Sequence, residues 1–246
     1  MTAGHPPGEA VVGILARCRY LLLDFDGPVC DIFSGLPATT VAERLRKLIT
    51  GQGVQMPAEI LRSPDPIEVF TYSATVSADL AARVEAEMAD QELAAVATAR
   101  PTPYVHDVVT SCRDSGRVVA VVSNNADRAV SAYLAAHGLD DRIELVSART
   151  SHDPALLKPS PHLIEQAMTG LGAPPAECVL VGDTTTDMQA TRLAGIDSIG
   201  YANKPGKHDS LAAAGATAGV SSLADLVLPL RARCDPTTDV RHISDN

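Results

Sequence analysis

An α/β fold built on a doubly wound parallel sheet, with a small α-helical segment inserted after the first strand, is what this sequence predicts. Three observations lead there. Short runs of uninterrupted apolar residues recur along the chain, helical patterns separate them, and one long helical stretch breaks the alternation just after the first run. A strand buried on both faces of a parallel sheet reads as a continuous apolar run rather than an alternating one. Strands that alternate with helices form βαβ units, which build a parallel sheet covered on both sides.

The first run, residues 20–25, ends in Asp24-Phe25-Asp26-Gly27. The second, 118–122, leads into Ser123-Asn124-Asn125. The third is 143–146; the fourth, 178–181, leads into Gly182-Asp183; the fifth is 198–201. Helical spacing of apolar residues marks 127–137, 161–171 and 188–194, and Gly138, Gly172 and Gly195 stand where helix C-caps belong. Between residues 31 and 100 strand signals are missing. Helical patterns at 40–49, 68–72 and 78–97 take their place, with a break at Ser63-Pro64-Asp65-Pro66. The expected division is a core of 11–30 and 101–230, a helical insert of 31–100, and flexible tails at 1–10 and 231–246. An insert at that point hangs over the C-terminal edge of the sheet, where open α/β folds bind ligands.

Composition narrows the function classes. A net charge of −10 argues against nucleic acid or an anionic membrane surface as the main partner. The five cysteines are scattered and form no C-x-x-C pair, which suits a reduced compartment better than a disulfide framework or zinc site. The N-terminal residues lack the basic-then-apolar order of a signal peptide, and no apolar run approaches the ~18 residues that cross a bilayer. A cytoplasmic protein is expected. Oligomeric state is left open.

The chemistry sits at the ends of the apolar runs. Four motifs follow in order: Asp24-x-Asp26-Gly27, Ser123-Asn124, Lys158-Pro159 at the expected opening of a helix, and Gly182-Asp183-x-x-x-Asp187. At ordinary Asp and Gly frequencies, the first and last each arise by chance in roughly one chain of this size in 25. Their joint occurrence, each directly after an apolar run, is therefore informative. Singly, each has an ordinary reading. Asp-Gly is a common turn pair, Ser123 could cap a helix, a lysine is usually solvated, and an acid such as Asp187 stabilises a helix's first turn in any case.

Taken together, these residues resemble the haloacid dehalogenase superfamily, in its branch of phosphoglycolate phosphatases and β-phosphoglucomutases with a helical cap. The resemblance runs from about Arg19 to Leu230 and implies a Rossmann-like core and phosphatase chemistry. It assigns Asp24 as nucleophile and Asp26 as the acid that protonates the leaving oxygen and then deprotonates water. Lys158 supplies fixed positive charge. Ser123, Asn124, Gly27 and backbone N–H groups hold phosphoryl oxygens. Mg²⁺ is expected between Asp24, the Asp26 carbonyl, Asp183 and Asp187, since hard cations take oxygen ligands. The expected substrate is a small phosphorylated metabolite. A phosphomutase using the same site is the alternative, and a non-catalytic binding module a further one. Asp26 itself argues against dehalogenation or phosphonate cleavage, because relatives with those chemistries lack the second acid. Lys47 and Arg62 in the insert are read as solvated, and the histidines show no ligand spacing. Pro28 departs from the usual Thr or Val; its fixed φ and missing donor bear on cap closure and substrate preference.

Overall fold

The computed structural model describes residues 8–233. In chain order its elements are α1 Glu9–Arg17, β1 Tyr20–Leu23, β2 Cys30–Asp31, α2 Ala38–Gly51, α3 Ala58–Arg62, α4 Pro66–Val76, α5 Ala78–Val96, β3 Arg100–Pro101, α6 Val105–Asp114, β4 Val118–Ala126, α7 Asp127–Ala136, β5 Leu145–Arg149, α8 His162–Leu171, β6 Cys178–Gly182, α9 Thr185–Ala194, β7 Asp197–Tyr201, α10 Lys207–Ala213, β8 Ala218–Val220 and α11 Ala224–Arg231.

Six strands form one sheet in the order β5-β4-β1-β6-β7-β8, and every pairing is parallel. Successive side chains of a strand face opposite sides, and β1 shows the consequence. Leu21 and Leu23 enter a cluster with Val11, Ile14, Val109 and Leu226 from α1, α6 and α11. Leu22 enters another with Ile164 and Ala190 from α8 and α9. Both faces are covered, so the run has no polar alternation. From β1 the chain steps to β4 and β5 on one side, then returns to β6, β7 and β8 on the other. The order reverses between β1 and β6, and a crevice opens above their C-terminal ends, the usual ligand position in such sheets.

The helices α2–α5 occupy the long stretch after β1. β2 and β3 pair antiparallel at its two ends, Cys30 opposite Pro101 and Asp31 opposite Arg100, so the chain leaves and returns at one point. Within the stretch α2, α4 and α5 pack on one another, and α5 also rests against α7. The Pro-rich break works as expected: Asp65 caps α4, accepting from Ile67 N–H at 2.8 Å, with Pro66 in the first helical turn.

Several expectations need correction. The third strand runs over Leu145–Arg149 rather than 143–146. Its end is polar yet buried: Ser147 donates to the Leu163 carbonyl at 2.7 Å, and Arg149 meets acids of α5. An apolar-run criterion stops short of such residues. Lys158-Pro159 does not open a helix, because α8 starts at His162 and Lys158 follows a 3-10 turn at Pro154–Leu156. The stretch expected to lack strands is closed by β2 and β3, each only two residues long. α1 occupies Glu9 and Ala10 of the expected tail, and α11 takes in Arg231; residues 1–7 and 234–246 of the expected tails lie outside the described residues. Among the described residues no helix is long and apolar enough to cross a membrane.

Candidate active site

Asp24 lies one residue beyond β1. Its N–H donates to the Val181 carbonyl at 2.9 Å, so the backbone is still tied to β6 when the side chain emerges at the switch point. The carboxylate is buried, 6% exposed. Lys158 reaches it from the opposite side of the crevice: Nζ is 2.7 Å from Asp24 Oδ1, 2.6 Å from Asp187 Oδ1 and 3.0 Å from the Val122 carbonyl. One ammonium is thus shared by two carboxylates. Burial raises the Asp24 carboxyl well above its ordinary range, and Asp187 adds to this while Lys158 opposes it. Burial alone would lower Lys158, but Asp187 and Asp24 outweigh it and hold the ammonium charged.

Asp187 has a second task. At the start of α9 it forms a capping box with Thr184: Asp187 N–H donates to Thr184 Oγ1 at 3.2 Å, and Thr184 N–H donates to Asp187 Oδ2 at 3.0 Å. One Asp187 oxygen thus serves the helix cap and the other meets Lys158. Gly182 makes room for this, since a Cβ there would lie 2.5 Å from the Asp187 side chain.

Asp183 ends the other strand of the crevice. Lys207 and Asn203 both donate to its Oδ2, while Oδ1 is buried and meets no hydrogen-bond donor. Buried polar atoms are normally paired, so an orphan oxygen needs a partner from outside the chain. Gly27 is shaped around the same carboxylate: its φ is +115°, and a Cβ there would lie 2.4 Å from Asp183 Cγ. Asp24, Asp183 and Asp187 each offer an oxygen within 4.8 Å of the others. Three clustered carboxylates, one with an unpartnered oxygen, fit a hard divalent cation. Gly27→Ala should therefore weaken the protein twice, by forcing an L residue to positive φ and by pushing Asp183 aside. The expected cost is about 2–3 kcal/mol of stability, with metal affinity reduced; calorimetric Mg²⁺ titration and thermal melts of the two proteins check it.

Asp26 sits at the rim of the crevice. Its Oδ1 accepts from Ile32 N–H at 3.2 Å. Burial, then the Asp183 carboxylate, push its carboxyl up to about 7. At neutral pH this acid carries a proton part of the time, as a proton donor must. Pro28 and Val29 are buried in the turn that follows, and the N–H groups of Val29 and Cys30 both close onto the Phe25 carbonyl.

The bulged end of β4 divides the expected phosphate ligands. Ser123 is fully buried; its Oγ accepts from Asn125 N–H at 3.0 Å and donates to Asn125 Oδ1 at 3.1 Å. Asn124 and Asn125, not Ser123, line the cavity. Asn124 also grips the Lys158 peptide: its Oδ1 accepts from the Lys158 N–H at 2.9 Å, and its Nδ2 donates to the carbonyl at 3.1 Å. Above the acids lies a cavity of about 850 Å³, which Phe33, Pro64 and Ile67 line from the insert. Lys47 and Arg62 do not line it, and Arg62 bonds within its own helix.

Asn203, Lys207, Asn125, Glu92 and Arg149 entered the site without being read from sequence. Lys204 and Lys207 left a signal: four lysines serve the whole chain, and two stand three residues apart just after β7, Lys204 in the loop and Lys207 at the start of α10. Glu92 left none, since an acid in an Ala-rich helix reads as solvated.

Comparison with known proteins shows the family and the fold. Residues 21–201 match the family model described as haloacid dehalogenase-like hydrolase. The pyrophosphatase PpaX of Halalkalibacterium halodurans is 31% identical over 104 residues, covering 41% of this chain and 47% of that one. A phosphoglycolate phosphatase of Cupriavidus necator is 32% identical over 133 residues, covering 52% and 56%. The chain thus spans about half the length of these curated relatives. Among solved structures, CbbY from Rhodobacter sphaeroides in complex with phosphate superimposes with a TM-score of 0.66 at 20% identity, over 87% of this chain and 99% of that one. A predicted phosphatase from Clostridium acetobutylicum gives 0.65 at 17% identity, over 86% and 97%. At such identities the structures speak for the fold.

Proposed function

Because the chain belongs to the haloacid dehalogenase-like hydrolase family, we propose that it is a Mg²⁺-dependent phosphatase that hydrolyses a small phosphorylated metabolite through an aspartyl-phosphate. The observation that carries this reading is the buried Asp24–Lys158–Asp187 set at the switch point, with Asp26 two residues from Asp24 and titrating near 7.

Lys158 engages Oδ1 of Asp24, which leaves the second oxygen to attack phosphorus. As that oxygen–phosphorus bond forms, the bond from phosphorus to the leaving oxygen breaks, and Asp26 delivers its proton to that oxygen. Asp26, now a carboxylate, takes a proton from water; the water oxygen attacks phosphorus and releases Asp24. Lys158, Asn124 and the backbone of the turn after β1 and of the β4 bulge hold the phosphoryl oxygens, with Ser123 shaping the bulge from beneath through Asn125. Mg²⁺, held by Asp24, the Asp26 carbonyl, Asp183 and Asp187, would offset phosphoryl charge when bound. Residues 31–100 act as a cap over a core of 11–30 and 101–230, and the apolar lining from Phe33, Pro64 and Ile67 shields the reacting centre from water.

Initial rates on p-nitrophenyl phosphate and a library of phosphorylated metabolites, with Mg²⁺ and with chelator, test the reading. Turnover that disappears with chelator and returns with Mg²⁺ supports it; an inert protein across the library overturns it.

Asp26→Asn should separate the two uses of that residue. A proton donor contributes about 10²-fold or more, and the loss should be larger for an alkyl phosphate than for p-nitrophenyl phosphate, whose leaving group needs less protonation. Stability moves the other way. With a native carboxyl titrating near 7 and an unfolded one near ~4, the native state binds the extra proton between those values, so wild-type stability falls as pH rises through that window. In metal-free buffer at pH 8 the asparagine variant should be more stable by roughly 1–3 kcal/mol, and thermal melts from pH 4 to 8 should be flatter.

A further inference from the structure

A bulge near the end of β4 leaves backbone polar groups that the β4–β5 ladder does not pair. The β4–β5 ladder holds to Ser123 opposite Ala148 and resumes at Ala126 opposite Arg149, so Asn124 and Asn125 are looped out of it. Two buried side chains from outside the loop meet the groups set free. Arg149 Nη1 donates to the Asn124 carbonyl at 2.5 Å. Glu92, on α5 of the insert, accepts from Ala126 N–H at 2.8 Å and from Asn125 Nδ2 at 3.1 Å. An ion pair of 2.8 Å joins the two; Glu92 is 1% and Arg149 3% exposed. Glu85, two turns before Glu92 on α5, takes Arg149 Nε at 3.1 Å. A buried ion pair adds little net stability beside an apolar pair of the same volume. What this one adds is shape at the loop.

We infer that Glu92 and Arg149 are positioning residues that set the placement of Lys158 through Asn124. The contacts are continuous. Arg149 fixes the Asn124 backbone, the Asn124 side chain holds both the N–H and the carbonyl of Lys158, and Lys158 Nζ bridges Asp24 and Asp187. Lys158 belongs to no helix or strand, lying between the 3-10 turn at Pro154–Leu156 and α8, so no ladder holds it. Glu92 brings the insert into this chain of contacts: α5 contributes the acid that fixes the loop, and the placement of the ammonium depends on the insert being docked. The consequence for turnover rests on the phosphatase reading; the placement of Lys158 does not.

The test replaces the pair by two apolar residues, Glu92→Met with Arg149→Met, so that neither member of the pair is left as a lone buried charge; Glu85, the other partner of Arg149, is 20% exposed and keeps access to water. The four lysines are labelled with an amine-reactive reagent and read by peptide mass spectrometry, and rates on p-nitrophenyl phosphate are measured in parallel. Lys158, shielded in the wild type, should label about tenfold faster, with Lys47 unchanged, and kcat should fall by about 10–100-fold with a smaller change in KM. Asp90→Asn is the control. It removes an exposed pair between α5 and Arg128 of α7 that touches nothing in the loop, and both readouts should stay at wild-type values. Should the double variant fail to fold, Glu92→Gln is read in the same way. A folded variant in which Lys158 stays as protected as in the wild type overturns the inference whatever its rate. Faster labelling of Lys158 beside a wild type without turnover supports the positioning role and counts against the phosphatase reading.

Discussion

Asp24→Asn yields a folded protein whose turnover with Mg²⁺ is at least ~10⁴-fold below wild type, the loss expected when an attacking nucleophile is removed. Its stability should be close to that of the wild type, for a reason visible in the site. Burial and the Asp187 charge already disfavour ionised Asp24, with Lys158 pulling the other way. Asparagine keeps the volume and removes one of two carboxylates competing for a single ammonium, and Lys158 retains Asp187 at 2.6 Å. Melting temperature, read beside rate, therefore distinguishes a lost nucleophile from a lost fold.

Lys158→Met has the opposite profile. It removes the cation between two buried carboxylates, leaving Asp24 and Asp187 to repel each other with no ammonium between them. Breaking a buried pair in this way costs roughly 3–5 kcal/mol, and removal of the charge facing the phosphoryl group lowers the rate by about 10³-fold. The stability loss should depend on pH in a defined direction. Without Lys158 the Asp24 carboxyl, already raised by burial, loses the charge that opposes the rise, so the native state binds more protons than the unfolded one across that interval. The variant should recover stability as pH falls from 8 toward 5, narrowing its gap to wild type. Urea melts in metal-free buffer at the two pH values measure this; a gap that is the same at both would show that the carboxylates are not the source.

The parts of the molecule that sequence disclosed are those whose physics is local. β1, β4 and β6 are buried on both faces, so their apolar runs stand out, and the residues just after them fall at the strand tips of a parallel sheet. The positions of Asp24, Asp26 and Asp183 were legible for that reason, and that of Asp187 from its spacing to Asp183 at the start of α9. β5 was misplaced because Ser147 and Arg149 are polar residues satisfied by tertiary partners. α1 was overlooked although Val11, Ile14 and Leu15 have helical spacing, since a Gly/Pro-rich start suggested a tail. β8, three residues at the sheet edge, is too short to show a pattern. In the site, the unreadable residues act across long separations: Glu92 reaches Ala126 from another segment, and Lys207 reaches back to Asp183. Ser123 shows the limit of a motif most clearly. Its position was legible, but its engagement with Asn125 depends on a bulge that only the β4–β5 register displays.

Asp24 as the phosphorylated nucleophile is tested by acid-quenched mass spectrometry of the protein caught in steady state with Mg²⁺ and a turned-over phosphate ester. One phosphoryl group is expected on the peptide containing Asp24, gone after hydroxylamine treatment and missing in Asp24→Asn. Turnover that proceeds with the phosphoryl group on another residue, or with Asp24→Asn as active as the wild type, would contradict it.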